Sequence, residues 1–275
     1  MDTDIIINIT DKEFFLLSDF VRRNYGIHLK PEKKALMVGR LHNILVQKGF
    51  KCFNDYYEYV ISDITGEAII SLINKISTNY SFFLREQDHF QYFISNVIPW
   101  LSDSIKDHDL RIWSAGCSTG EEPYTLAMYI DEYFGANKAL WNTKILATDI
   151  STDVLQKASS GVYNNDQITS IPERWKKLYF KKNMEGNNLI VDKIRNEVIF
   201  RRFNLMDRVF PFKKRFHIIF CRNVMIYFDL KTKKDLVEKF YDITEPGGYL
   251  FIGHSESLNR EETKYRYIKP AIYRK

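Results

Sequence analysis

The sequence predicts an all-helical amino-terminal domain followed by an α/β domain with a parallel sheet, and three observations predict it. From Asp11 to about Leu101 the apolar residues recur at helical spacing, with no sustained alternation. From Leu110 onward short apolar runs alternate with helical stretches, the pattern of strands joined by crossover helices. The length of 275 residues suits two compact domains at roughly 100–200 residues each.

The opening residues, MDTDIIINIT, carry acids where an export signal needs bases, and no apolar run approaches the roughly 18 residues of a membrane span. Cys52, Cys117 and Cys221 lie far apart and form neither a disulfide framework nor a CxxC pair. A chain of a reducing cytoplasm, neither exported nor inserted in a membrane, is expected. The second helix should begin near Pro31, a residue suited to a first turn, and end at Gly49. Leu36, Leu41, Ile44 and Leu45 would form its buried stripe, with Lys33, Lys34, Arg40 and Lys48 projecting elsewhere. The polar stretch Ser102–Asp109 is the expected linker, giving a helical domain over 1–101 and an α/β domain over 110–275.

The second domain reads as strand LRIWSA, a helix opened by Pro123, then strands KILATD, VIFRRF, FHIIFC and YLFIGH. Between the helix after KILATD and VIFRRF lie about 40 residues, too many for a simple connection of a few. An inserted hairpin or small sheet, at about 175–203 and turning at NMEGNN, accounts for them. Residues 171–215 carry 13 bases against 5 acids, which makes this segment either a docking surface or a solvated face.

The chemistry gathers at strand ends. LRIWSA runs into Gly116-Cys117-Ser118-Thr119-Gly120-Glu121-Glu122-Pro123, a strand-to-helix turn whose small residues let backbone approach a nucleotide-like ligand. It lacks the three glycines of GxGxxG and does not open the protein, which favours an adenosyl group over a dinucleotide. Asp149 ends KILATD, where an acid can accept both hydroxyls of a ribose. Either feature alone also fits a turn former or a helix cap. Asn204-Leu205 after VIFRRF and Arg222-Asn223 after FHIIFC aim at the same crevice. The six histidines form no HxxxH or Cys/His cluster, so no metal site is expected, and neither a nucleophile elbow nor a phosphate loop is present. A transferase that draws its reactivity from a bound cofactor remains.

The runs SxNYSFFLRE (Ser77–Glu86), WSAGCSTGEEPYTLAM (Trp113–Met128), ATDIS (Ala147–Ser151), IFCRNVMIYFD (Ile219–Asp229) and GGYLFIGHSESL (Gly247–Leu258) closely resemble the CheR-type chemotaxis receptor methyltransferases. The resemblance spans nearly the whole chain. It implies a class I, Rossmann-like methyltransferase domain with an inserted β-subdomain behind a helical domain. It also implies methyl transfer from S-adenosylmethionine to receptor glutamates, leaving S-adenosylhomocysteine and forming methyl esters for sensory adaptation. By the same match Asn79, Ser81 and Arg85 reach back to the cofactor, and Gly116, Glu121, Asp149, Asn204, Leu205, Arg222 and Asn223 line its site. Tyr227 lies near the transferred methyl, with Arg222 holding either the incoming carboxylate or the cofactor. On the residues alone, Tyr227 reads equally as a core aromatic, Arg85 as a surface ion pair, and Asn79 and Ser81 as caps. Two positions depart from the family: Ser81 stands where Thr is common, keeping the hydroxyl, and Leu84 replaces the second Phe of FFRE.

The partners so implied are the cytoplasmic methylation helices of chemoreceptors, met by the basic helix at residues 31–48, with the enzyme a monomer. Relatives tether a receptor carboxyl-terminal peptide on the inserted subdomain. Here the loop Lys181–Asn188 has one glycine, Gly186, and no proline, so tight tail binding is not expected. Nucleic acid is excluded as substrate because Arg222-Asn223-Val224-Met225 lacks the Asn/Asp-Pro-Pro-aromatic motif of such enzymes. A non-catalytic sensor of S-adenosylmethionine would show a degenerate crevice, which this sequence does not.

Overall fold

The computed structural model describes residues 7–275, so residues 1–6 of the expected helical domain lie outside the described residues. Four helices come first: α1 (Asp11–Tyr25), α2 (Lys34–Lys48), α3 (Phe53–Ser62) and α4 (Glu67–Ile76). Thr10 starts α1 with a reciprocal cap: the Thr10 hydroxyl accepts from Glu13 N, and the Glu13 carboxylate accepts from Thr10 N at 2.8 Å. The other Glu13 oxygen accepts the Asn54 amide at 2.9 Å, so one side chain fixes the starts of both α1 and α3.

Pro31–Lys33 forms a 3₁₀ turn into α2, and Gly49, at φ 75°, ends the helix as the sequence predicts. The buried face of α2 is Met37, Leu41, Ile44 and Leu45. Leu36, expected in that stripe, is exposed and lines a cleft instead. It lies one residue, about 100° of helix, away from the Met37–Leu41–Leu45 row.

The helical core ends at Ile76, and the next hydrophobic cluster, starting at Phe83, belongs to the sheet. Helices α5 (Gln87–Tyr92) and α6 (Ile98–Ser104) therefore pack with the second domain, and the cores part near Ser77, not at 102–109. Helical periodicity runs through both sides of this division, and a period does not tell which core a helix joins.

The sheet begins with β1 (Ile112–Ala115), followed by α7 (Glu121–Phe134), β2 (Ile145–Asp149) and α8 (Thr152–Ser160). The insertion comprises β3 (Val162–Tyr163), α9 (Glu173–Tyr179), β4 (Phe180–Lys182), β5 (Asn188–Ile190) and α10 (Asp192–Arg195). Its three strands form an antiparallel sheet of order β3-β5-β4. It thus starts earlier than 175 and ends before 203, because VIFRRF is β6 (Val198–Arg202) of the main sheet. β7 (Phe216–Cys221), α11 (Leu230–Ile243), β8 (Thr244–Ile252), β9 (Arg266–Lys269) and β10 (Ile272–Arg274) complete the chain.

The main sheet runs β6-β2-β1-β7-β8-β10-β9, parallel throughout except for β10. Its centre, β1 and β7, is buried at every residue, as strands covered on both faces must be. Trp113 anchors one face: its ring meets Phe203, Phe212 and Phe240, while Nε1 donates to Thr148 Oγ1 at 2.9 Å. The strand order reverses between β1 and β7, which opens a crevice at their carboxyl ends.

Candidate active site

The crevice is a cleft of about 300 Å³ between the two domains. Its floor is the turns after β1, β2, β6 and β7. Tyr25, Ile27, His28, Leu29, Lys33 and Leu36 of the helical domain form the facing wall, and residues 77–82 with Arg85 form the side. Cross-domain bonds hold the walls together. His28 N donates to Tyr227 O at 2.7 Å and Asn204 Nδ2 donates to Asn24 O at 2.8 Å, while on the helical side Arg40 donates to Ile76 O, Ser77 O and Thr78 Oγ1 where that domain runs into the linking segment. Arg40, placed by the sequence on a free basic face, is therefore a brace for the linking segment.

After β1 the chain turns through Gly116, at φ 83°, and Ser118, at φ 49°. A Cβ on Gly116 would collide with Val224 Cγ2, so this position of the cleft floor admits no side chain. Asp149 closes the floor from β2. Its Oδ2 accepts Ser118 N at 2.9 Å and its Oδ1 accepts Ser151 N at 3.0 Å. Burial pushes the Asp149 carboxyl above its ordinary value, against the pull of these backbone donors. Each oxygen keeps a further lone pair for a ligand hydroxyl.

Glu121 departs from expectation. It is buried away from the cleft, with both oxygens accepting the Thr119 hydroxyl at 2.8 Å, and burial raises its carboxyl. Glu122 is the cleft residue. It accepts from Ser114 Oγ at 2.7 Å and pairs with Arg222 at 3.0 Å. Because α7 begins at Glu121 and not at Pro123, the second glutamate turns toward the crevice.

Arg222 is almost fully buried between Glu122 and Glu86, the latter at 3.1 Å, and lies 5.2 Å from the centre of the Phe90 ring. It also donates to Arg85 O. Of the two roles expected for Arg222, holding the incoming carboxylate or the cofactor, this pairing weighs against the first, since two carboxylates of the protein already face its single charge. Asn223, at φ 58°, donates from Nδ2 to Glu86 Oε1 at 3.2 Å. Burial pushes Glu86 up, but the charge of Arg222 and the Asn223 bond outweigh it and hold the carboxyl below its ordinary value. Glu86, at the end of the FFLRE run, and Glu122, next to Glu121, thus join the site beyond the residues the sequence points to.

The other expected residues gather at the cleft. The Asn79 carbonyl accepts Ser118 Oγ at 2.8 Å, while its side chain donates to Ser77 Oγ. Ser81 lines the cleft. Arg85 is in no ion pair among the described residues; it donates to Tyr80 O and lies near the Tyr80 and Phe82 rings. Leu205 is buried, and the Asn204 amide crosses to the helical domain. Tyr227 is half-buried at the junction of both walls, and its hydroxyl forms no hydrogen bond among the described residues.

Glu86, His89 and His254 bring their ligand-type atoms within 4.8 Å of one another. Both Glu86 oxygens already serve Arg222 and Asn223, and the adjacent guanidinium opposes a dication. His89 is fully buried; burial and then Arg222 push its imidazole down to about 4, so it is neutral at pH 7.

This sheet order, its reversed strand and the cleft at the switch of strand order define a class I S-adenosylmethionine-dependent methyltransferase carrying a helical domain. The chain belongs to the CheR methyltransferase family. The family's all-alpha domain matches residues 12–77, and its SAM binding domain matches residues 79–273. The chain is 43% identical to the chemotaxis protein methyltransferase of Borreliella burgdorferi, over 98% of this chain and 96% of that protein. It is 32% identical to that of Escherichia coli, over 96% and 91%. Among solved structures, the glycopeptide N-methyltransferase MtfA complexed with sinefungin is similar over 63% of this chain and 54% of that one. Its TM-score of 0.37 and 13% identity are too slight to bear on function. S-adenosylmethionine is the cofactor, and methylation in chemotaxis is the reaction class. The residues present fit that cofactor: Gly116 leaves the floor bare, and Asp149 keeps acceptor capacity for a diol. No helix among the described residues is long and apolar enough to cross a membrane.

Proposed function

We propose that the protein transfers the methyl group of S-adenosylmethionine to side-chain carboxylates of glutamates in the methylation helices of chemoreceptors, forming methyl esters. The observation that carries this reading is the composition of the cleft mouth. Tyr227 stands there beside His28 and the exposed Lys33, with a hydroxyl that has no hydrogen-bond partner among the described residues, while Glu122 of the lining and Glu86 behind it both pair with Arg222, which offsets one of their two charges. Such a mouth suits an anionic acceptor.

Bound S-adenosylmethionine supplies an electrophilic methyl group on a positively charged sulfur. A glutamate carboxylate, with a pKa of about 4.3, is ionised at neutral pH and needs no base. The chain's part is therefore to bind, orient and enclose. Asp149 accepts the ribose hydroxyls, Leu205 and Phe90 supply apolar walls, and the 77–82 segment covers the side. The Tyr227 hydroxyl orients the incoming carboxylate, and Lys33 attracts it.

Docking on the acidic receptor helices falls to Lys33 and Lys48 of the α2 region. Lys34 already pairs with Asp11, and Arg40 braces the linker. The basic segment 171–215 offers less free charge than its composition suggests, since Arg174, Lys176, Lys193 and Lys214 pair with Glu132, Glu173, Asp131 and Asp109. That pairing speaks against a phosphate-binding surface.

The test is transfer from methyl-labelled S-adenosylmethionine to receptor cytoplasmic fragments, with DNA and RNA as alternatives. Label on the receptor that mild alkali releases as methanol is the expected result. Alkali-stable label, or label on nucleic acid, would overturn the reading.

A further inference from the structure

The run Gly253-His254-Ser255-Glu256-Ser257 contributes nothing to the cleft lining, yet it holds a buried carboxylate aimed at the turn that carries Tyr227. Glu256 Oε2 accepts Gly253 N at 2.6 Å and Asn223 N at 3.0 Å, and Oε1 accepts Ile226 N at 3.0 Å. One side chain thus ties the end of β8 to both ends of the turn after β7. Between those ends Asn223 is left-handed, and the chain closes a 3₁₀ turn in which Tyr227 N donates to Val224 O at 3.2 Å. Gly253 serves the same junction, because a Cβ there would lie 2.5 Å from Asn223 Nδ2 and 2.8 Å from Asn223 N.

We propose that Glu256 is a positioning residue for the methyl transfer: by holding the backbone of the Asn223–Ile226 turn it sets the place of the Tyr227 hydroxyl. This rests on the orienting role read for Tyr227 above. The turn has two anchors of different kinds. Arg222 and the Asn223 side chain are held from the cleft side by Glu86 and Glu122, independently of Glu256. The backbone that leads to Tyr227 is held from beneath by Glu256. Losing Glu256 should leave the cofactor wall in place and loosen Tyr227, which separates turnover from cofactor affinity.

The test is a double-mutant cycle on the full chain with Glu256→Gln, Tyr227→Phe and the pair. Glutamine keeps the volume but turns an amide N–H against a backbone N–H. In the folded Glu256→Gln variant, kcat should fall about tenfold or more, while S-adenosylhomocysteine affinity stays within about threefold. In the Tyr227→Phe background the same change should cost less than about threefold in kcat, since both act through one hydroxyl. Wild-type kcat in folded Glu256→Gln, or a full tenfold loss persisting without the hydroxyl, would overturn the proposal. If Tyr227→Phe alone turns over like wild type, the route through Tyr227 is lost. The alkali-labile label would still report the acceptor class in that case. Should Glu256→Gln not fold, Glu256→Asp, which keeps the charge and shortens the reach, enters the same cycle with the same criteria.

Discussion

Asparagine at position 149 tests where the ribose binds more cleanly than alanine does. The Asp149 carboxylate accepts Ser118 N and Ser151 N at 2.9 and 3.0 Å in a buried site. Alanine would orphan both amides at about 1–3 kcal/mol each, a large part of a stability of about 5–15 kcal/mol, and would confound folding with binding. Asparagine keeps the volume and one acceptor oxygen, so one amide is left unpaired at about 1–3 kcal/mol. Toward the ribose it loses a charge-assisted bond worth about 1.5–3 kcal/mol, which weakens S-adenosylhomocysteine about 10- to 140-fold. Calorimetric titration of S-adenosylhomocysteine, with a melting curve on the same sample, gives both quantities. Affinity within about threefold of wild type in a folded Asp149→Asn protein would refute the ribose assignment.

Replacing Arg222 by Met should destabilise the fold by about 3–5 kcal/mol, because it strands Glu86 and Glu122 without a cation; an unchanged urea midpoint at pH 7 would contradict this. Glu86 sits below its ordinary value, so the stability it contributes is complete above about pH 4.3 and is lost as pH falls through the depressed folded value; midpoints between pH 7 and 3 should show this in wild type and not in Arg222→Met. Lys33→Glu should raise KM for receptor several-fold at low salt, leave S-adenosylhomocysteine affinity unchanged and lose its effect as salt rises; receptor kinetics indifferent to Lys33 at low salt would remove this rim from the interface. The loop from Asn183 to Asn187 beside β4 has one glycine, so a receptor carboxyl-terminal peptide should show no saturable binding at micromolar concentrations, and a micromolar complex with shifts confined to the insertion would reverse that expectation.

Where the chain had one reading at the level of a single element, the fold was legible. FHIIFC is a wholly buried run and is β7 residue for residue, and Gly49 could only end α2. What was not legible depended on contacts remote in sequence. α5 and α6 have the same period as α1–α4, and only their packing on the sheet assigns them to the second core. The strands of the insertion have two or three residues each, too few to show alternation, so its limits were misplaced. The hairpin of β9 and β10 went unseen for the same reason.

The site divides in the same way. A polar residue after an apolar run marks a strand end, which is why Gly116, Asp149, Asn204 and Asn223 meet at one cleft. The phase of a helix is harder to read: a start two residues earlier than Pro123 exchanges Glu121 for Glu122. The sequence left open how Tyr227 and Arg222 share the work, and the partners of Arg222 favour one division of it in physical terms. A guanidinium buried between two carboxylates has little charge to offer a third, whereas a half-buried phenol without a partner among the described residues has its full hydrogen-bonding capacity. On the function proposed above, Arg222 acts as wall and counter-ion, Tyr227 as the group that meets the acceptor, and Lys33, which is in no ion pair among the described residues, as the charge that draws the acceptor in.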